Sequence, residues 1–309
     1  MSLKNRQKLY ELYNELIITK FKKKNILGEG TQGKVYSYCE DSDSNSNSCI
    51  TVKKIYMDNT ESKYINKIYS KQALKKNVFI ELFCNKLINK LLIENVSPNF
   101  IFFYNNYFEE REGICWEDYP YVSYFYNEYI DDAETFLEWI YKKKSLKLLY
   151  NAFFQIITGL YAAQNNFGLM HLDLHAENIL VKKIKKGGYF KYIIDNIEYN
   201  VPNLGYLFLI NDYGFAWIPK TKNKKDREYD INFILNDVKD VCPPKITDDI
   251  KYIVKNLKSN KLSFEDLIKN VWFDMYNKTD GELLETYYLD KKIILDKKNK
   301  DIIDSGINN

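Results

Sequence analysis

The chain holds two histidines, and both flank one carboxylate in His171-Leu172-Asp173-Leu174-His175. Asn178 follows Asp173 on the same stretch and leads into the apolar run Ile179-Leu180-Val181. A carboxylate and a carboxamide at this spacing on one loop suit a catalytic base and a magnesium ligand facing a nucleotide triphosphate. A metal site built from H-x-D-x-H is the other chemistry these residues allow. It would leave two further groups without a purpose.

The first group is Gly28-x-Gly30-x-x-Gly33-x-Val35. Glycines let backbone amides approach phosphate oxygens with no Cβ in the way, and a valine can lie over a flat purine. A plain glycine-containing hairpin is the bland alternative. A dinucleotide fingerprint would need the glycines to open a helix, whereas Lys34-Val35-Tyr36 continues as strand, so a phosphate-covering hairpin is expected. The second group is Asn211-Asp212-Tyr213-Gly214 at the end of an apolar strand. Asp212 could chelate magnesium together with Asn178, bridging β- and γ-phosphates; the alternative is a turn that ends a strand.

Two more charges belong with these. Lys53 ends Ile50-Thr51-Val52-Lys53, and strand alternation turns it inward with Thr51 while Val52 and Lys54 share the other face. Glu81 is the one acid in the apolar helical run VFIELFCNKL. A carboxylate in such company needs a partner, and Lys53 is the natural one, unless Glu81 is a surface residue beside a lysine one turn on.

The elements that must position these groups are legible in outline. Apolar periodicity predicts helices over Arg6 to Ile18, Glu61 to Lys76, Val78 to Glu94, Glu134 to Tyr141 and Leu146 to Gln164, the last closed by a left-handed Gly168. Strands are expected around Lys24 to Leu27, Lys34 to Cys39, Ile50 to Tyr56, Phe100 to Phe108 and Tyr121 to Tyr126. Glu40 to Ser48 reads as a low-complexity loop. Between Tyr126 and the helix at Glu134 lies a hinge, where the backbone near Glu128 and Ile130 would hydrogen-bond an adenine edge, with Asn127 behind it. Helices over Asp248 to Leu257 and Phe264 to Tyr276 follow, the second capped by Ser263 and Asp266. The tail after Asp290 is charged and expected to end loosely, with Ile293 to Leu295 its docking piece.

At 309 residues the chain has room for two substantial cores. Its 45 basic and 42 acidic residues nearly cancel to +3, which gives bulk charge no argument for nucleic acid or a membrane surface. Five scattered cysteines without a CxxC pair suggest reduced thiols inside a cell. No secretory pattern opens the chain and no run nears the ~18 apolar residues of a membrane span. A soluble protein of the cytoplasm or nucleus is expected, and the wealth of Lys, Asn, Ile and Tyr reflects an AT-rich genome.

The glycine hairpin, strand lysine, helix glutamate, D-x-x-x-x-N loop and D-Y-G come in an order that resembles the eukaryotic-type protein kinase superfamily over roughly residues 20 to 240. Leu172 stands in place of the arginine of H-R-D, His175 in place of a lysine, and no A-P-E follows Asp212. Asp230 in YDINFIL looks like the aspartate that anchors the catalytic loop. D-L-H-x-x-N, V-P-N-L-G ahead of the metal motif, and D-Y within it are together similar to the haspin group of atypical kinases. Compactness and composition also look like kinases of large DNA viruses or parasites, which would place the protein in a host cell or virion.

The resemblance implies an α+β, bilobal fold with a small β-rich N-lobe (1–127), a hinge (128–132), a larger mostly helical C-lobe (133–290) and a C-terminal tail (291–309). It implies ATP and Mg²⁺ as cofactors and a Ser/Thr-protein kinase acting on an unidentified protein substrate, as a monomer, with no nucleic acid or membrane partner. Asp173 would be the base, and Lys53 held by Glu81 would position the α- and β-phosphates. Gly28, Gly30, Gly33 and Val35 would cover the nucleotide, while Asn178 and Asp212 hold the metal. His175 would contact the transferred phosphoryl group and His171 would pack beneath the metal motif. Leu172 cannot pair with a phosphate, so control by activation-loop phosphorylation is not expected. A small-molecule kinase of the choline or aminoglycoside type and a pseudokinase scaffold are the competing readings.

Overall fold

The computed structural model describes residues 3–14, 21–30, 33–40, 49–112, 118–220, 224–259, 261–269, 276 and 281–307. Residues 41–48, Cys115, the expected end of the first helix and most of the segment from 270 to 276 lie outside them. The chain forms two compact units, Met1–Asn89 with Ile101–Asp131, and Lys90–Phe100 with Asp132–Asn308. Together they make a mixed α+β protein.

The first unit begins with helix α1 (Leu3–Asn14) and strands β1 (Phe21–Gly30), β2 (Gly33–Glu40) and β3 (Cys49–Met57). A single turn α2 (Asn59–Ser62) precedes helix α3 (Asn77–Ile93), after which come β4 (Phe103–Glu110) and β5 (Tyr121–Glu128). The strands form one antiparallel sheet in the order β1-β2-β3-β5-β4. Ile55 and Met57 of β3, Phe103 and Phe125 pack with Val78, Phe79 and Leu82 of α3 in a continuous apolar cluster. α3 therefore lies against the face of β3 that carries alternate residues, and Lys53 belongs to that face. Lys54 lies on the other face, its ammonium 5.4 Å from the Tyr56 ring and 5.3 Å from the Tyr124 ring.

Two expectations need correction here. Glu61 to Lys76 is not a continuous helix but α2 and two three-residue 3₁₀ turns, Ile65–Lys67 and Ala73–Lys75. Asp58 caps α2 through a reciprocal capping box with Glu61; of this stretch only Ala73 and Leu74 are fully buried, while Tyr64, Ile65 and Ile68 pack half-buried against the core. A short chain that fully buries only two residues has little to hold a longer helix together. The cysteines are not all reduced thiols either: the β2–β3 register sets Cys39 opposite Cys49, and a disulfide joins them. Cys84 and Cys242 are free.

The second unit holds strand β6 (Glu134–Thr135), helices α4 (Phe136–Tyr141) and α5 (Leu146–Phe167), and strands β7 (Ile179–Lys183), β8 (Tyr189–Ile194), β9 (Ile197–Pro202) and β10 (Tyr206–Ile210). Helices α6 (Lys224–Val238), α7 (Pro244–Lys258) and α8 (Phe264–Ile268), strand β11 (Leu283–Tyr288) and helix α9 (Lys297–Ser305) complete it. α5 is buried over most of its length, opens on a Ser145 cap and closes on Gly168 at φ +68°, the left-handed end its pattern predicts. α7 starts four residues earlier than expected because Pro244 sits in its first turn, where a missing N–H costs nothing. β10, β7 and β6 form a small antiparallel sheet against which Phe136 and Trp139 pack through Phe208. β8 and β9 form a hairpin, and β11 adds to β8 in parallel.

The tail is the third correction. Ile293 donates its N–H to Asn166, but Ile294 is 92% exposed, and the chain goes on into α9, capped by Asp296. Ile307 then bridges to Ile218 and is buried. No helix among the described residues is long and apolar enough to cross a membrane.

Candidate active site

In the first unit β1 and β2 form a hairpin whose last pair is Gly30 and Gly33. No helix follows the glycines, as a dinucleotide fingerprint would require. The two glycines that can be compared differ in kind. Gly33 has φ +155°, and a Cβ there would lie 2.1 Å from the Lys54 carbonyl oxygen, so the fold itself demands glycine. At Gly28 a Cβ would meet nothing within 4 Å, so packing gives no reason for the missing side chain. Val35 pairs with Lys53 across β2 and β3, which places both on one face.

Lys53 Nζ donates to both carboxylate oxygens of Glu81, at 2.8 and 2.9 Å. The Glu81 side chain is almost fully buried and the lysine nearly so. Leaving either charge there without the other would be costly, so the pair fixes the ammonium in space. One turn on, burial pushes the Cys84 thiol far up, with the Glu81 charge adding to it, which makes that thiol inert.

Glu128, the last residue of β5, holds a different pair. Arg6 of α1 donates from Nε and Nη2 to its carboxylate at 2.7 to 3.0 Å, with both side chains buried. The Glu128 N–H is given to the Phe102 carbonyl at 2.8 Å, so that donor is not open to the adenine edge expected near it. Arg6 is a residue that sequence reasoning missed. One arginine among the lysines of an amphipathic helix carries no mark of a partner more than a hundred residues away.

In the second unit the loop after α5 is held from three sides. Asp230 of α6 is fully buried and accepts the N–H groups of His171 and Leu172, each at 2.8 Å. Burial pushes the Asp230 carboxyl up, while the His171 ring and the two N–H donors pull the other way. Asp237, also on α6, accepts the Ala176 N–H at 2.7 Å. It went unnoticed in the sequence, although two turns of helix put it on the same face as Asp230. The third hold is a two-way backbone pairing of Met170 with Trp217.

The register of β7 and β10 then joins the two motifs. Ile179 pairs with Ile210, and the next backbone bond runs from the Asn211 N–H to the Asn178 carbonyl at 3.0 Å. Asp212 therefore leaves the sheet beside Asn178, and Asn178 Nδ2 donates to the Asp173 carbonyl at 2.8 Å and to its carboxylate at 3.4 Å. His171 donates from Nε2 to the Asn211 carbonyl at 2.9 Å, with its ring against Tyr213, so it packs beneath the D-Y-G motif. His175 lies with its ring nitrogens 3.7 Å from Asp173 and 3.6 Å from Glu177.

Leu172 and Asp212 both adopt left-handed backbone, at φ +63° and +64°. Such a conformation costs a non-glycine residue about 1 kcal/mol or more, and it persists where the surroundings dictate it. Here the dictating contacts are the Asp230 carboxylate on the Leu172 N–H and the Asp212 carboxylate on the Gly214 N–H.

The donor chemistry suits a hard divalent cation. The described residues contain no cluster of three or more His, Cys, Asp or Glu able to hold a metal alone. Magnesium, however, takes few protein oxygens and completes its shell with water and phosphate. Because Asn178 commits its Nδ2 to Asp173, its Oδ1 is the atom of that amide with the chemistry to meet a cation.

No family model matches the chain. It is 25% identical over 169 residues, 51% of its own length and 31% of the relative's, to the probable serine/threonine-protein kinase 380R of Invertebrate iridescent virus 6. It is 33% identical over 111 residues, 35% of its length and 13% of the relative's, to the putative serine/threonine-protein kinase 019R of Frog virus 3. An uncharacterized protein of Acanthamoeba polyphaga mimivirus is 39% identical over 69 residues, 21% of this chain and 9% of that one. The chain thus spans a third or less of the length of the curated relatives it matches. Distant viral relatives that bear serine/threonine kinase names support a kinase-like family.

Proposed function

We propose that the chain is a Mg-ATP-dependent protein kinase that transfers the γ-phosphate to serine or threonine hydroxyls. The observation that carries this reading is the β7–β10 register, which gathers Asp173, Asn178 and Asp212 on one edge of the second unit. The two units correspond to the small and large lobes of a kinase. Asp173 takes the proton of the attacking hydroxyl, whose oxygen bonds to the γ-phosphorus as the bond to the bridging oxygen breaks and ADP leaves. Lys53, fixed by Glu81, pairs with the α- and β-phosphates. The glycine hairpin offers backbone N–H groups, and the open space at Gly28 supports that role. Asn178 and Asp212 would hold magnesium, which when bound neutralises charge on the phosphates. In this reading His175, 3.7 Å from Asp173, would meet the transferred group, and Leu172 leaves a phosphorylated loop no receptor, in keeping with a haspin-like, switch-independent enzyme.

The test is transfer of label from γ-labelled ATP to casein, histone or the chain itself, with magnesium. Asp173→Asn and Asp212→Ala should each lower kcat by about 10³-fold or more, because most of the catalysis lies in positioning and charge stabilisation. Near-wild-type transfer by either variant would refute the assignments. ATP binding with no magnesium-dependent turnover would instead make the chain a scaffold, and label in a small alcohol but in no protein would make it a small-molecule kinase.

A further inference from the structure

Helices α6 and α7 of the second unit enclose two adjoining depressions of about 500 and 560 Å³ that share Asn236 and Lys258. They therefore read as one groove. On the α6 wall Tyr229 and Phe233 lie one turn apart with ring centroids 6.1 Å apart, and Tyr229 is 45% exposed. On the α7 wall Lys251, Lys255 and Lys258 repeat at helical spacing, and Lys239 adds a fourth ammonium from the end of α6.

Positive charge dominates this groove. The one carboxylate among the described residues of its lining, Asp237, is engaged with the Ala176 N–H. Lys251 has a loose, exposed partner in Asp248 at 3.8 Å, and among the described residues Lys239, Lys255 and Lys258 have no ion-pair partner. A plain role exists for Lys255 and Lys258, which stand in the last turn of α7 and complement the helix dipole. That role explains neither Lys239 and Lys251 nor the exposed Tyr229 beside a half-buried Phe233 on the facing wall. A chain whose net charge is only +3 has concentrated four lysines around one depression.

The groove is also tied to the catalytic loop. Asp237 lines it and holds Ala176, three positions past Asp173, through a 2.7 Å hydrogen bond. A chain whose hydroxyl lies at Asp173 can reach the groove with residues a few positions away.

We propose that this groove docks an acidic peptide segment beside the accepting serine or threonine of the protein substrate, with Asp or Glu side chains on the α7 lysines and an apolar side chain on Tyr229 and Phe233. The proposal rests on the kinase reading for its phosphoacceptor, but docking itself is measured without catalysis.

The test uses the full chain and two fluorescein-labelled serine peptides, one flanked by Asp and Glu and its counterpart flanked by Lys and Arg. By fluorescence anisotropy the acidic peptide should bind more tightly, and the Lys255→Glu/Lys258→Glu double variant should weaken it about tenfold, the equivalent of ~1.4 kcal/mol. Lys255→Gln/Lys258→Gln should fall between, with the melting temperature lowered by no more than a few degrees as the dipole loses its complement. In steady-state transfer the Glu variant should raise KM for the acidic peptide by a similar factor, with kcat and KM for ATP unaltered. Equal binding of the two peptides, or an acidic peptide indifferent to the double variant, overturns the proposal. So does single-stranded DNA or an anionic phosphatidylserine vesicle that binds as tightly and weakens equally, because the face would then be a general polyanion surface. If no peptide is phosphorylated, the kinase reading fails while the anisotropy result still decides the groove.

Discussion

The two glycines of the β1–β2 hairpin that can be compared separate what the fold needs from what a ligand would need. Gly33→Ala would push a Cβ into the Lys54 carbonyl from a backbone conformation that alanine rarely adopts, and is expected to cost about 2 to 4 kcal/mol. Gly28→Ala meets open space, so its stability should change by less than about 0.5 kcal/mol. Only a phosphate pressed against the backbone would make it costly, and KM for ATP should then rise. Chemical denaturation of both variants, with ATP kinetics on Gly28→Ala, checks the contrast; equal destabilisation by the two would sink it. At this scale much of the site was legible. Lys53 was assigned inward from strand alternation alone, and Glu81 was named its partner because a lone acid in an apolar helix needs one. Arg6 and Asp237 were not legible, since each is paired with a backbone or side chain far off in sequence whose place only the folded chain defines.

Elements act here mainly as clamps. α1 places Arg6 on Glu128, stacks the Arg6 guanidinium 5.3 Å over Phe102 and sets Tyr10 against the same ring. Removing one member of a buried ion pair leaves an uncompensated charge, so Arg6→Ala should destabilise the first unit by about 3 to 5 kcal/mol. A double replacement, Arg6→Met with Glu128→Leu, removes both charges at similar volume and should recover most of that loss. Thermal melts of the single and double variants measure the difference; a double variant no better than Arg6→Ala would show that α1 matters through packing and not through the pair. The C-terminal end of α5 was readable because Gly168 acts locally. The 61–76 stretch and the Cys39–Cys49 disulfide were not, because periodicity does not report how little a segment buries. Scattered cysteines likewise do not report a strand register.

At the scale of the whole chain, Ile307 reaches the Asp173 loop through a short series of backbone pairings. Gly306, at φ +71° and packed too closely on Lys220 for a side chain, turns the chain so that Ile307 bridges Ile218. Trp217, the neighbour of Ile218, exchanges both backbone bonds with Met170, and Met170 precedes His171 and the Asp173 loop. The charged composition of 291–309 suggested a loose tail because a single apolar residue such as Ile307 is invisible to any periodicity. The structure gives that residue 4% exposure, against 92% for Ile294 thirteen positions earlier. Burying one isoleucine is worth about 1.5 to 3 kcal/mol, and a carboxylate in its place would add a desolvation cost. Ile307→Asp should therefore lower the melting temperature by several degrees and reduce kcat as the 217–218 segment loosens its hold on Met170, whereas Ile294→Asp should leave both unchanged. Hydrogen exchange at the Met170 and Trp217 amides should quicken only in the Ile307 variant; protection that is retained there, with kcat intact, would disconnect the tail from the site.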